Sequence, residues 1–152
     1  MYLSAREIEE MEGVRKVHYL NPAAERLNKS LGDAVGMKHL GAHLITVDPG
    51  HQSTEYHLHH FEEECIYVLS GRGLAVLGEA LQPIGPGDFI GCPANGIAHE
   101  LINDGDEPLL CLVVGQRLAH DVVDYPRLDK RLFRNAGEWN LVDQGDIEHV
   151  KR

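Results

Sequence analysis

Seven short segments rich in Val, Ile, Leu and Tyr follow one another in the middle of the chain, and they constrain the fold more than any other feature. Turn signals separate them, among them Pro49-Gly50 and Gly85-Pro86-Gly87. The predicted strands are residues 40–47, 53–60, 65–71, 73–78, 88–93, 97–103 and 108–115. Short strands at near-regular spacing are typical of an all-β sandwich or barrel and not of a βαβ layout.

Residues 1–36 are predicted to form an arm outside this strand-rich block. Ser4, followed three residues later by Glu7, resembles a capping box and predicts a helix over residues 5–12. Asn21-Pro22 is predicted to start a second helical patch. Neither patch is long enough to be stable without docking on another surface.

The remaining chain is divided into a β-barrel core, residues 37–117, and a C-terminal extension, residues 118–152, that is expected to pack on the barrel. Within the extension, Lys130–Arg134 is predicted to form one more edge strand, and Trp139 is predicted to be a docking anchor. A length of 152 residues fits one domain with a core large enough to need no disulfide bonds.

Charge and composition exclude several classes of partner. The net charge of −10 argues against binding to nucleic acid or to anionic membranes, and no apolar run approaches the roughly 20 residues that span a bilayer. The acidic start, MYLSAREIEEMEG, does not resemble a secretory signal. Cys65, Cys92 and Cys111 form no CxxC pair and are interpreted as free thiols. We therefore expect a cytoplasmic protein with a small-molecule substrate or ligand.

Histidine and glutamate residues in the middle of the chain have the spacing of metal ligands. His57 and His59 would project from one face of a strand, and Glu64 begins the next strand. His99, on a later strand, is the fourth candidate. Three imidazoles and one carboxylate suit divalent Fe, Mn, Ni, Co or Zn, and the lack of thiolate ligands argues against a structural zinc site.

Three neighbouring carboxylates receive other interpretations. Glu62 and Glu63 are predicted to be solvated loop charges. Glu55 lies two residues before His57 and would share its face, so it is the best candidate for a catalytic general base. The alternative is that Glu55 is a charged residue at the barrel mouth.

Two motifs in this region resemble those of the cupin superfamily. The first pairs H-x-H with a following Glu and Gly, and the second pairs a Pro and a Gly with a later His and Asn. In this sequence they are Gly50, His57, His59, Glu64 and Gly71, and then Gly87, Pro93, Gly96, His99 and Asn103. One extra residue stands between Gly50 and His57 and another between Pro93 and Gly96, both in turns.

The resemblance extends to small bacterial single-domain cupins of unassigned function, some of which carry a provisional sugar-phosphate isomerase label. The features that support it are residues 31–36 before the first strand and Asp124-Tyr125-Pro126 after the last. The resemblance implies a double-stranded β-helix, or small jelly roll, with the metal inside the barrel. It also implies a homodimer, in which the arm could be exchanged between subunits.

Two functions remain open from the sequence. The first is a metal-dependent enzyme on a small oxygen-rich metabolite, by isomerase or epimerase chemistry or by dioxygenase chemistry. The second is a non-catalytic module that binds a metal or a metabolite. Only Lys38 and Arg72 are basic within residues 37–116, against 11 acidic residues, which argues against a phosphorylated substrate.

Overall fold

The computed structural model describes residues 1–151 and is built almost entirely from antiparallel strands. The strands are β1 (Val14–His18), β2 (Asn21–Ser30), β3 (Leu40–Val47), β4 (Leu58–His59), β5 (Glu64–Ser70), β6 (Gly73–Leu77), β7 (Ala80–Ile84), β8 (Phe89–Cys92), β9 (His99–Ile102), β10 (Leu109–Gln116), β11 (His120–Tyr125), β12 (Lys130–Asn135) and β13 (Glu138–Asp143). The helices are α1 (Ala5–Glu10), α2 (Leu31–Ala34) and a 3₁₀ turn (Gln144–Asp146). The all-β prediction is confirmed.

The strands form three sheets that enclose the site. The largest has the order β1-β2-β3-β10-β5-β8, the second β13-β12-β11-β4, and the third β7-β6-β9. Alternation along β5 sets the inner face, because Ile66 and Val68 are buried while Tyr67 and Leu69 are exposed. The inner faces of the first and third sheets supply one apolar core, which includes Ile45, Val47, Leu101, Leu109 and Cys111.

A glycine allows the tight connection between β5 and β6. Gly71 has φ +81°, and a Cβ built on it would lie 2.3 Å from the carbonyl oxygen of Pro108. Any side chain there would both occupy a disfavoured backbone region and clash with the neighbouring backbone.

The N-terminal arm is only partly as predicted. The capping box is present, since Ser4 Oγ accepts from Glu7 N and the Glu7 carboxylate accepts from Ser4 N, and it starts α1. The helix predicted from Asn21-Pro22 is wrong, because these residues begin β2, which pairs with both β1 and β3. Ala24 and Asn28 are the buried residues of β2, and their interval of four suits a helix as well as a strand.

Other segments also differ from expectation. The strand predicted over residues 53–60 is reduced to β4, and the residues before it are extended backbone with isolated bridges. Lys130–Arg134 is a strand, but it lies between β11 and β13 and is not an edge. Trp139 is 58% exposed, so it is not a docking anchor.

Cys65, Cys92 and Cys111 are free thiols, as predicted. Within residues 1–151, no helix is long and apolar enough to cross a bilayer.

Candidate metal centre

The four predicted ligands line one cavity, where they form two close pairs. His57 and His59 are one pair, with their Nε2 atoms 3.1 Å apart. His99 and Glu64 are the other, with Nε2 of His99 3.6 Å from Oε1 of Glu64. An antiparallel bridge joins the backbones of His57 and His99, and their ring centroids lie 4.7 Å apart. The strand spacing thus brings the four side chains into one cavity, but in the described structure no three of them have donor atoms within 4.8 Å of one another, so their binding of a metal stays a prediction.

The Nε2 atoms of His57 and His59 face each other. Nδ1 of His57 donates to the carbonyl oxygen of Glu55 at 2.9 Å, and Nδ1 of His59 donates to Oδ2 of Asp121 at 2.6 Å. Each ring therefore carries its lone pair on Nε2. Two such acceptors repel each other unless a proton or a cation lies between them. Two nitrogens bound to one metal at about 2.1 Å and about 90° would be about 3.0 Å apart, which agrees with this pair.

His99 supports the same interpretation. Its side chain is buried, and neither ring nitrogen has a hydrogen-bond partner in the described structure. A buried polar group without a partner costs free energy, and native proteins rarely leave one unless something binds it. In donor type, the three imidazoles and the Glu64 carboxylate therefore fit a metal ion, although the two pairs would have to move closer together to bind the same ion.

Burial and neighbouring charges shift the pKa values of these groups in different directions. Burial lowers the pKa of His57 to about 3, and His99 and His59 add to that effect. Burial also lowers the pKa of His99, but Cys92 and Glu64 beside it have the larger combined effect and raise its pKa to about 10. Burial acts to raise the pKa of Glu64, yet the neighbouring imidazoles bring it below its usual value.

Asp121, which the sequence analysis missed, positions His59. It lies on β11 and is fully buried. Its Oδ2 accepts from His59, and its Oδ1 accepts from the backbone N–H groups of Phe61 and Glu62 at 3.1 Å and 3.3 Å. A carboxylate behind a ligating histidine fixes the ring's tautomer and orientation. The alternation of Asp121, Val123 and Tyr125 is the strand signal that could have revealed it.

Glu62 is buried close to His59 and Asp121, so the prediction that it is a solvated loop charge is wrong. It is 5% exposed, and its Oε1 accepts from Leu118 N at 2.6 Å and from Arg134. Possible ligand atoms of His59, Glu62 and Asp121 lie within 4.8 Å of one another. Neither carboxylate lines the cavity, and both are already occupied as acceptors. We therefore interpret this group as the support of His59 and not as a second metal site.

Glu55, the candidate general base, is buried and held by a hydrogen bond. It is 6% exposed, its Oε2 accepts from Asn21 Nδ2 at 2.7 Å, and it is not among the residues that line the cavity. Its carbonyl oxygen orients His57. Its predicted role as a base therefore stays a prediction.

The cavity has a volume of about 450 Å³ and contains basic residues that the sequence analysis did not place there. Lys16 and Arg26 come from the arm, and Arg134 comes from β12. A phosphorylated substrate is therefore not excluded by the scarcity of basic residues in residues 37–116, where only Lys38 and Arg72 are basic, because the cavity takes its cations from outside that range. No local signal marks these residues, because only the folded arrangement of β1, β2 and β12 brings them to the cavity.

Comparisons with known proteins agree with this structure. Residues 43–115 match the model of the cupin domain. The chain is 59% identical to a protein from Acidithiobacillus ferrooxidans, provisionally named a sugar phosphate isomerase, over 99% of this chain and 97% of that one, with a TM-score of 0.97. The chain belongs to the cupin superfamily. The resemblance stated from the two motifs is confirmed, and with it the jelly-roll fold.

More distant cupins share the fold. A sugar phosphate isomerase of the cupin superfamily from Silicibacter pomeroyi is 27% identical over 93% of this chain and 94% of that one, with a TM-score of 0.81. A predicted oxalate decarboxylase from Thermotoga maritima is 24% identical over 73% and 96%, with a TM-score of 0.61, and this similarity shows the fold alone. No curated protein matches the chain significantly.

Proposed function

We propose that this cupin is a metal-dependent enzyme that acts on a small oxygen-rich metabolite by isomerase-type chemistry. His57, His59, Glu64 and His99 are the proposed ligands. The observation that carries the proposal is the pair of lone-pair-bearing Nε2 atoms 3.1 Å apart on the wall of the cavity. The nearby His99 ring is buried, and neither of its nitrogens has a hydrogen-bond partner, which supports the same assignment.

The donor set defines what a bound metal could contribute. Three imidazoles and one carboxylate suit divalent Fe, Mn, Ni, Co or Zn. Such an ion polarises a substrate carbonyl and lowers the pKa of a bound hydroxyl or water. The remaining steps depend on side chains that hold the substrate and move its protons.

Tyr125 is the proposed hydrogen-bond donor to a substrate oxygen. It lines the cavity, its ring centroid lies 6.3 Å from that of His57, and its hydroxyl lies 2.8 Å from the hydroxyl of Tyr19. Burial, together with Tyr19, raises the pKa of Tyr125 well above its usual value. Tyr125 therefore keeps its proton and can donate it in a hydrogen bond as charge develops on the substrate.

The relatives favour isomerisation over oxygen chemistry. The two similar proteins that this chain covers almost completely are both named as sugar phosphate isomerases. One observation favours the alternative, a non-catalytic binding module: Glu55, the predicted base, does not line the cavity.

The test begins with metal analysis of protein purified without added metal. The metal-loaded protein is then incubated in D₂O with a panel of aldoses, ketoses and their phosphate esters, and deuterium incorporation next to the carbonyl is followed by ¹H NMR. Incorporation that disappears in His59→Ala supports the isomerase. Oxygen uptake with iron would support the dioxygenase, and stoichiometric metal with no turnover would support the binding module.

A further inference from the structure

Arg26 is a charged residue in the cavity without an ionic partner. It lies on β2, and Nη1 donates to the carbonyl oxygen of Ser53. Its Nε is buried and has no hydrogen-bond partner. Within residues 1–151, no carboxylate lies within 4.0 Å of its guanidinium. A guanidinium in a protein stays protonated, so this positive charge is held in the cavity with no carboxylate paired to it, and Glu64 acts on it only from a longer distance.

Other arginines around the site differ from Arg26 in this respect. Arg131 forms two hydrogen bonds with Asp124, at 2.6 Å and 2.8 Å. Arg134 pairs with Glu62, and Arg127 pairs with Glu100. Partly buried guanidinium groups are therefore neutralised elsewhere in this protein. Burying a charge is costly unless a partner compensates it, so a bound anion is the natural counter-charge for Arg26.

Lys16 places a second positive charge beside Arg26. The two residues are directly opposite each other in the pairing of β1 with β2, and both line the cavity. Residues directly opposite in an antiparallel pair project from the same face, and like charges in such a pair are destabilising. A sheet that places two cations together towards a cavity loses stability there unless an anion binds.

The pKa of His43, which also lines the cavity, is lowered in part by nearby positive charges. Burial lowers its pKa, and the positive charges of Arg117, Lys16 and Arg26 lower it further, with Asp33 opposing them. The protein as a whole carries a charge of −10. Positive charge is therefore present locally at this wall of the cavity in a protein that is acidic as a whole, and it would attract an anion there.

We propose that Arg26 and Lys16 form a subsite that binds the phosphate group of a phosphorylated substrate. A phosphate monoester carries about −1.5 to −2 charges at neutral pH, which matches the two cations. The guanidinium offers a planar set of N–H donors to the phosphate oxygens, and the lysine adds a point charge at the mouth. As the phosphate anchor of a substrate, the subsite rests on the function proposed above, whereas its affinity for phosphate itself does not.

Inorganic phosphate is the probe for this subsite. Isothermal titration at low ionic strength would measure its binding to the full chain, once with metal loaded and once in chelator. We expect a single site that is at least about tenfold weaker in Arg26→Gln, in both states, because an anion then loses its buried charged partner. We expect Lys16→Gln to weaken binding by about threefold, since this lysine is exposed.

Two controls separate binding from structure. Arg72→Gln removes one positive charge from an exposed residue outside the cavity and should leave the phosphate affinity unchanged. Arg26→Lys keeps the charge but loses the planar donors, so it should bind phosphate with intermediate affinity. Arg26→Gln loses the hydrogen bond to the Ser53 carbonyl oxygen as well as the repulsion with Lys16, so circular dichroism must show that the variant is folded when its phosphate affinity is measured. A purely structural Arg26 would leave the phosphate affinity of the folded variant unchanged.

The outcomes are distinct from those of the proposed function. Phosphate affinity in Arg26→Gln within about twofold of the wild type would overturn the subsite, as would a wild type that does not bind phosphate. Arg26-dependent phosphate binding in a protein that binds no metal and turns over no substrate would support the subsite and defeat the proposed enzyme.

Discussion

Replacing Asp121 with Asn tests how the protein holds His59 ready for a metal. Asp121 Oδ1 accepts from two backbone N–H groups, and Oδ2 accepts from Nδ1 of His59. An Asn at this position has one acceptor oxygen and one NH₂ group. If the oxygen keeps the backbone hydrogen bonds, the NH₂ group faces Nδ1 of His59. That nitrogen must then become an acceptor, and the ring proton moves to Nε2, where it blocks the metal.

The expected effect is on metal affinity more than on the fold. The loss of a carboxylate behind a ligating histidine typically costs about 10- to 100-fold in affinity, or about 1.4–2.7 kcal/mol. Competition titrations with a calibrated chelator would measure the dissociation constants of Mn²⁺ and Zn²⁺. A ¹H–¹⁵N spectrum tuned to the histidine rings would show, in metal-free protein, whether the proton of His59 has moved from Nδ1 to Nε2.

Asp124→Asn is the matched control. Asp124 lies on the same strand, accepts from Arg131 at 2.6 Å and from His60 at 3.0 Å, and forms no hydrogen bond with the proposed ligands. We expect the metal affinity of Asp124→Asn to stay within about twofold of the wild type, because this substitution leaves the hydrogen bond between Asp121 and His59 in place. A folded Asp121→Asn that binds metal as tightly as the wild type would show that Asp121 does not position His59, and so would an equal loss of metal affinity in both variants.

Three further predictions concern the ligands, a turn and the arm. Replacing His59 with Ala should abolish stoichiometric metal binding while the fold survives, as judged by circular dichroism, and a variant that fails to fold without metal would make the site structural. Replacing Gly71 with Ala should lower the free energy of unfolding in urea by about 3 kcal/mol or more, because the new Cβ meets the Pro108 carbonyl. Gly50 has the same φ of +81° with nothing within 4 Å, so its Ala variant should lose only about 1–2 kcal/mol, and equal losses would contradict this reasoning. Deleting residues 1–20 should convert the expected dimer to a monomer by light scattering at low concentration, and an unchanged dimer mass would show that the arm does not hold the dimer together.

The features that could be predicted from the sequence depend on residues that are close together along the chain. The strand predicted over residues 40–47 has the bounds that the structure shows, and the strand predicted over residues 65–71 is shifted by one residue. The proximity of His57 to His59 follows from their separation of two residues along extended backbone. The capping box of α1 is equally local.

The features that could not be predicted depend on contacts between distant parts of the chain. Asp121 meets His59 across 62 positions of the sequence, and Arg26 meets Ser53 across 27. The buried residues of β2 are four positions apart, as in a helix, but the segment is a strand because it pairs with β3. In each case tertiary pairing outweighs the local preference, which a single sequence does not show.

The arm supplies two cations to the cavity, and an exchanged dimer would also depend on it. Lys16 and Arg26 lie on β1 and β2, and β2 joins the barrel by pairing with β3 over residues 27–30. In a dimer that exchanged the arm, the same pairing would form between subunits, and each cavity would combine the metal ligands of one subunit with the cations of the other. Deletion of residues 1–20 therefore removes Lys16 from the cavity as well as β1 from the sheet. If the truncated protein is still a dimer by light scattering but binds phosphate less tightly, the arm contributes to the site and does not hold the dimer together.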